Sequence, residues 1–155
     1  MVALQTSFVL ADEAATGQLG AQIAGGLSTG DLVALSGELG AGKTTLARAI
    51  LRALGVMEEV PSPTFTLVQS YHTKTLAVYH FDLYRLGGAA ELGELGIDEA
   101  LDQGAVLVEW PENGLPVKLL EDALRISISA DSAQMRKVHL SGPERWRPVI
   151  TKVSP

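Results

Sequence analysis

The sequence predicts an α/β fold: a mixed sheet with a parallel core, antiparallel hairpins added to it, and helices on its flanks. Three observations predict it. The apolar run Leu32 to Ser36 leads into a glycine-rich loop and then an amphipathic segment, as a buried parallel strand leads into its crossover helix. A second apolar run, Ala105 to Val108, ends in a carboxylate, Glu109. Two further stretches, Phe65 to Asp82 and Leu124 to Leu140, each read as two strand segments joined by a short polar connection, which is the pattern of a hairpin.

Taken in order, Ser7 to Leu10 reads as a short edge strand. Asp12 is a suitable N-cap for a helix whose Ala15, Leu19, Ile23 and Leu27 recur every four residues, and Gly25-Gly26 weakens its end. Leu32 to Ser36 is the loop strand. Thr44 to Leu54 then reads as a helix with Leu46, Ala49, Ile50 and Ala53 on one face and Gly55 just past its end. Pro61-Ser62-Pro63 opens a loop. Phe65 to Tyr71 and Leu76 to Asp82 form the first hairpin across His72-Thr73-Lys74. Gly87 to Asp102 is acidic and glycine-rich and reads as short helical pieces. Ala105 to Glu109 is a buried strand, Pro111 to Gly114 a turn. Leu124 to Ser129 and Met135 to Leu140 make the closing hairpin around Asp131-Ser132.

The 155 residues fit one domain over 1–155. At 46% hydrophobic and 19% charged residues, the chain has the material for a packed core without metals or disulfides. It has no cysteine, which excludes a Cys-ligated zinc site and a thiol nucleophile. The first ten residues lack a positive segment and a long apolar run, and no stretch approaches the roughly 18 apolar residues of a membrane span, so the expectation is a cytoplasmic protein with no membrane contact. The net charge of -6 argues against a free-standing nucleic-acid binder; a role on RNA then calls for a partner that supplies the positive surface.

The glycine-rich loop carries the chemistry. Gly37-Glu38-Leu39-Gly40-Ala41-Gly42-Lys43-Thr44 matches G-x-x-x-x-G-K-[ST] without deviation, in the required setting between an apolar strand and a helix. Its glycines let backbone N–H groups converge on phosphate oxygens, and the helix N-terminus adds the positive end of its dipole. Lys43 reaches the β- and γ-phosphates of a purine nucleotide, Thr44 offers its hydroxyl to Mg²⁺, and Thr45 contacts the α-phosphate. Such a site needs an acid at the end of a neighbouring strand. Asp82 and Glu109 both qualify, for the metal shell or for the water. Thr64 sits where switch loops of nucleotide hydrolases place a γ-phosphate-sensing threonine, although a plain turn threonine has the same local sequence. His80 alternates with apolar residues and reads as a packed side chain; with three histidines and no H-x-x-x-H spacing, a histidine metal site is not expected. Trp110 reads as a cover over the strand end, and Arg85 as a partner for phosphate or for Glu91 or Glu94.

Four segments in this order are more specific than the loop alone: Leu39 to Thr45, Ser62-Pro63-Thr64-Phe65-Thr66, His80-Phe81-Asp82-Leu83-Tyr84-Arg85, and Val108-Glu109-Trp110-Pro111. Together they resemble the TsaE family, P-loop ATPases of bacterial tRNA threonylcarbamoyladenosine biosynthesis, over about Leu10 to Leu140. The resemblance implies ATP and Mg²⁺ as cofactors, Thr44 and Glu109 as metal ligands, Asp82 beside the phosphates in support of hydrolysis, Thr64 in a switch-like loop and Glu13 near the nucleotide. It implies TsaD and TsaB as partners, with TsaD transferring the threonylcarbamoyl group next to the anticodon and this chain supplying an ATPase step. The chain departs from the family in its last hairpin turn: Ala133-Gln134-Met135-Arg136 stands where relatives often carry Gly-Arg, which leaves Arg136 as the substitute. Read from the residues alone, a small-molecule kinase and a nucleotide-gated binding module remain open. The segment from Gly87 to Asp102 has no arginine for a kinase lid, and no N-K-x-D segment marks a guanine reader.

Overall fold

A computed structural model describes residues 4–63, 66–86, 93 and 95–153. The described residues form one seven-stranded sheet in the order β1-β7-β6-β2-β5-β4-β3. The strands are β1 (Leu4–Leu10), β2 (Leu32–Ser36), β3 (Val68–His72), β4 (Ala77–Asp82), β5 (Ala105–Glu109), β6 (Leu124–Ala130) and β7 (Arg136–Gly142). The four central strands β6, β2, β5 and β4 are parallel to one another; β3 pairs antiparallel with β4 on one side, and β7 antiparallel with β6 and then β1 antiparallel with β7 on the other. The expected mixed sheet is therefore present, with β2, the strand that feeds the glycine loop, at its centre.

Helices cover both faces. On one lie α1 (Glu13–Ala24), α2 (Lys43–Ala53) and the C-terminal α5 (Arg147–Val153). Leu19 and Ile23 of α1, Leu46 and Ile50 of α2 and Val149 and Ile150 of α5 pack there with Val33, Leu35 and Leu107. On the other lie α3 (Ile97–Gln103) and α4 (Val117–Asp122), over Ala34, Val106 and Val108. Each large aliphatic side chain buried in these layers contributes roughly 1.5–3 kcal/mol relative to exposure. The layer of α1 on α2 is tight: a Cβ on Gly20 would lie 2.5 Å from Ala49 Cβ and 2.8 Å from its carbonyl carbon.

The differences from the sequence reading have local causes. β1 starts at Leu4 rather than Ser7, because its alternating burial continues through Gln5 and Thr6 opposite β7. The first hairpin begins at Val68: Leu67 adopts φ +68, which takes the chain out of extended geometry, and Phe65 lies outside the described residues. Of the acidic segment, Ile97–Gln103 is helical as expected, while Glu91 and Glu94 lie outside the described residues. α4 is six residues long, too short to show an apolar period, and packs on the core only through the half-buried Leu119 and Leu120. α5 is anchored by Trp146, which is 1% exposed and donates through Nε1 to Asp122 O, and by an ion pair from Arg145 to the buried Asp31. No helix among the described residues is long and apolar enough to cross a membrane.

Candidate functional site

The site lies at the C-terminal ends of the parallel strands, where the loop after β2 turns into α2. Two glycines shape it. Gly42 sits at φ +114 as the N-cap of α2, with no side chain capping the helix, so the first-turn N–H groups face the cavity. At Gly37 any side chain would collide with Ile128 O, 2.4 Å from where its Cβ would stand, so the loop lies directly on β6. Lys43 is 4% exposed and donates to Glu38 O (2.9 Å) and Gly37 O, the carbonyls that begin the loop. Its ammonium also stands 4.3 Å from the centroid of the Trp110 ring. Burial pushes the Lys43 pKa below its ordinary value, opposed by the fields of Glu109, Asp82 and Glu112. A bound phosphate would favour the charged form.

Across from the loop, alternation along β4 and β5 turns His80, Asp82 and Glu109 to the face that carries α2. Asp82 and Glu109 are register partners on adjacent strands, 3% and 2% exposed. Glu109 meets α2 directly: Thr44 Oγ1 lies 3.0 Å from both Oε1 and Oε2. His80, fully buried, places Nε2 2.6 Å from Glu109 Oε2. Asp82 Oδ1 accepts from Tyr84 N at 2.9 Å, and its Oδ2 lies 3.5 Å from Ser62 Oγ. Trp110 takes φ +60, a costly conformation for a bulky residue, and so lays its ring over Lys43 and 4.9 Å from that of Tyr84.

Two cavities meet here. One of about 220 Å³ is lined by Leu39, Gly40, Lys43, Thr44, Asp82 and Glu109, with Ser62 and Trp110 at its sides. The other, about 450 Å³, runs along Leu10, Asp12, Glu13, Thr16, Ile128 and Gln134. Gly42, Thr45 and Arg136 line both. Arg136 crosses from β7 and donates from Nε to Ala41 O at 2.9 Å, holding the last hairpin against the glycine loop.

The candidates read from the sequence thus converge, with distinct places. Gly37 to Thr45 form the cradle, although Leu39 stands 69% exposed at its rim and Glu38 turns outward while its carbonyl holds Lys43. Thr44, Asp82 and Glu109 meet in the smaller cavity, and Glu13 lines the larger one. Thr64 lies outside the described residues; Ser62, two residues before it, lines the smaller cavity. The sequence reading undervalued three residues. His80 is packed as expected, yet it is packed against Glu109. Trp110 covers the strand end and also Lys43. Arg136, singled out through the resemblance as a substitute for the family's Gly-Arg, reaches the loop from 95 residues away, a contact that no local pattern announces.

The fit to a magnesium nucleotide is chemical. No cluster of three or more His, Asp or Glu side chains stands ready for a metal among the described residues. Thr44 and Glu109 supply one hydroxyl and one carboxylate, which suits Mg²⁺ when phosphates and waters complete its shell.

A sequence model of the family described as threonylcarbamoyl adenosine biosynthesis protein TsaE matches residues 10–138. A protein named tRNA threonylcarbamoyladenosine biosynthesis protein TsaE from Streptomyces coelicolor is 43% identical over 137 residues, covering 83% of this chain and 92% of that one. A Rickettsia felis protein of the same name is 43% identical over 105 residues, which span 67% of this chain but 61% of the relative, less than two thirds of its length. Among solved structures, the crystal structure of Bacillus subtilus YdiB superposes with a TM-score of 0.81 at 27% identity, covering 98% of this chain and 95% of that one.

Proposed function

The chain belongs to the TsaE family, and from that premise we propose that it is a Mg²⁺-dependent ATPase serving the biosynthesis of threonylcarbamoyladenosine in tRNA, in the cytoplasm, beside TsaD and TsaB. One observation carries the catalytic half of this reading: Thr44 and Glu109 meet at 3.0 Å at the mouth of the glycine loop, with Lys43 and Asp82 lining the same cavity.

The residues divide the work. Backbone N–H groups of Gly40 to Thr45 and the Lys43 ammonium hold the phosphates. Thr44 and Glu109 hold Mg²⁺, which when bound neutralises charge on the β- and γ-phosphates. Asp82 keeps Oδ2 toward the phosphate cavity while Tyr84 N fixes Oδ1, an arrangement that suits a carboxylate orienting water. Thr64, two residues after Ser62 in the sequence, is read through the family resemblance as the sensor of the γ-phosphate. The larger cavity takes the nucleoside, with Glu13 on its wall and Arg136 lining both cavities. Hydrolysis of this kind needs positioning and charge stabilisation, which a buried site of fixed donors supplies. The acidic chain makes its contribution to tRNA through partners rather than by direct grip.

The test is calorimetric titration with ATP–Mg²⁺, alongside phosphate release with TsaD and TsaB present. Lys43→Ala should weaken ATP binding by about 100-fold, the worth of one to two charge-assisted hydrogen bonds. Unchanged affinity in that variant would overturn the assignment of the cradle. Phosphate release that ignores Mg²⁺, or tRNA modification that proceeds without this chain, would overturn the function.

A further inference from the structure

Glu109 stands in an awkward place for a carboxylate. Its register partner across the parallel strands is Asp82, and both acids are buried on the same face. Like charges in that position repel. The Glu109 side chain also has rotatable bonds, so something must decide which way its oxygens point. Thr44 does not decide it: one hydroxyl lies 3.0 Å from each oxygen. His80 does. Its Nε2 is 2.6 Å from Oε2, and Oε1 is left with Thr44 as its hydrogen-bond partner.

The proton in that bond can be placed. A carboxylate accepts and does not donate, so the imidazole donates from Nε2. The other ring nitrogen, Nδ1, is buried and has no hydrogen-bond partner among the described residues. A proton there would be a buried donor without an acceptor. The network therefore assigns the Nε2–H tautomer. His80 sits two residues before Asp82 on β4, so one short strand end delivers both the acid of the phosphate cavity and the group that orients the acid on the next strand.

From this geometry we infer that His80 is the positioning residue of Glu109: its Nε2–H fixes the carboxylate so that Oε1 and Thr44 Oγ1 present a paired ligand to the divalent cation of the nucleotide complex. The inference rests on the reading of Thr44 and Glu109 as the metal-holding pair. Hydrogen-bond partners behind a ligating carboxylate typically govern metal affinity, while nucleotide affinity without metal depends on the loop.

Mn²⁺ binding to the ADP-saturated protein, followed by electron paramagnetic resonance, reads this directly. His80→Phe, which fills the space without a donor, should raise the Mn²⁺ dissociation constant roughly tenfold or more and leave metal-free ADP affinity unchanged. His80→Gln returns an N–H near the Nε2 position and should recover most of the loss. Nitrogen-15 spectra of the wild-type protein should show a protonated Nε2, and they decide the matter if His80→Phe does not fold. Wild-type Mn²⁺ affinity in His80→Phe, equal losses in the Phe and Gln variants, or a bare Nε2 overturns the inference. Glu109→Gln separates the two levels. If it leaves Mn²⁺ affinity intact, the ligand pair itself is wrong and the role of His80 falls with it. If it weakens Mn²⁺ while His80→Phe does not, only the role of His80 fails.

Discussion

The two cavities that meet at Gly42, Thr45 and Arg136 are built differently. The smaller one is assembled from strand ends and one helix start, and its polar side chains are buried: Lys43, Asp82 and Glu109 are each under 5% exposed. The larger one is walled by the start of α1 and the turn between β6 and β7, where Asp12, Glu13, Ala133 and Gln134 are exposed. Charges fixed in a low-dielectric setting act strongly and cost nothing to reorganise. Exposed groups are screened and act weakly. On the proposed function, the smaller cavity therefore decides turnover, and the larger one contributes binding in small steps.

Glu109→Ala should break the contrast most severely. It removes one of the two ligands read for Mg²⁺ and strands the His80 donor. Turnover with TsaD and TsaB should fall about 100-fold or more, the usual scale for losing a fixed charge-stabilising group, while metal-free ADP binding persists. If phosphate release stayed near wild type, the buried pair with Thr44 would be a structural contact and nothing more.

Gly20→Ala tests the scaffold instead of the chemistry. Its Cβ would meet Ala49 Cβ at 2.5 Å and backbone atoms at 2.8 and 2.9 Å, so α1 must move off α2. Overpacking of this kind costs roughly 1–3 kcal/mol. Thermal unfolding should register it as a lowered Tm. Because α1 carries Glu13 and Thr16 and is capped by Asp12, nucleotide affinity should drop as well, whereas the order of the smaller cavity should survive. An unshifted Tm would mean that the two helices are not held at this spacing.

Arg136 lies on the boundary, and its effect should be intermediate. It spends Nε on Ala41 O and Nη1 on Ser132 O and Met135 O. Arg136→Ala removes a cation that lines both cavities and also releases the hairpin from the loop. The expected loss of nucleotide affinity is about tenfold, equal to one charge-assisted hydrogen bond. Arg136→Lys should recover charge but not the fork that ties the loop. Equal ADP affinity in all three proteins would remove Arg136 from the site.

The same contrast explains what could be read from the sequence. Phosphate chemistry demands fixed residue types at fixed spacing, so Gly37 to Thr45 were legible in one run, and the acids stood out as charges ending apolar strands. The wall of the larger cavity has no such demand. It arises where β1, α1 and the β6–β7 turn come together through β7 pairing with β1, a long-range event that local spacing does not encode. His80 shows the intermediate case. Its burial was legible from alternation, but its partner depended on the register of β4 against β5, and parallel pairing carries no turn to set that register. α4 was invisible because its six residues are too few to show a helical period, although Leu119 and Leu120 pack partly buried against the core.

The smallest effect is expected at Glu13, and it needs two readouts. Glu13 opens α1 directly after Asp12, whose Oδ1 caps the helix through Ala15 N at 2.9 Å. An acid in the first turn also favours the helix dipole by about 0.3–1 kcal/mol, so Glu13→Ala will lower the Tm slightly whatever its role at the ligand. Affinity for ADP separates the two. An exposed carboxylate that accepts from the nucleoside should be worth about 0.5–1 kcal/mol, a two- to fivefold loss in Glu13→Ala. Glu13→Gln keeps an acceptor oxygen while giving up the charge, so it should lose helix stability yet retain most of the affinity. If the Gln variant instead bound ADP as weakly as the Ala variant, the charge would act through the field and not through an accepted hydrogen bond. Raised salt would then shrink the difference between wild type and both variants, as it must for any exposed charge.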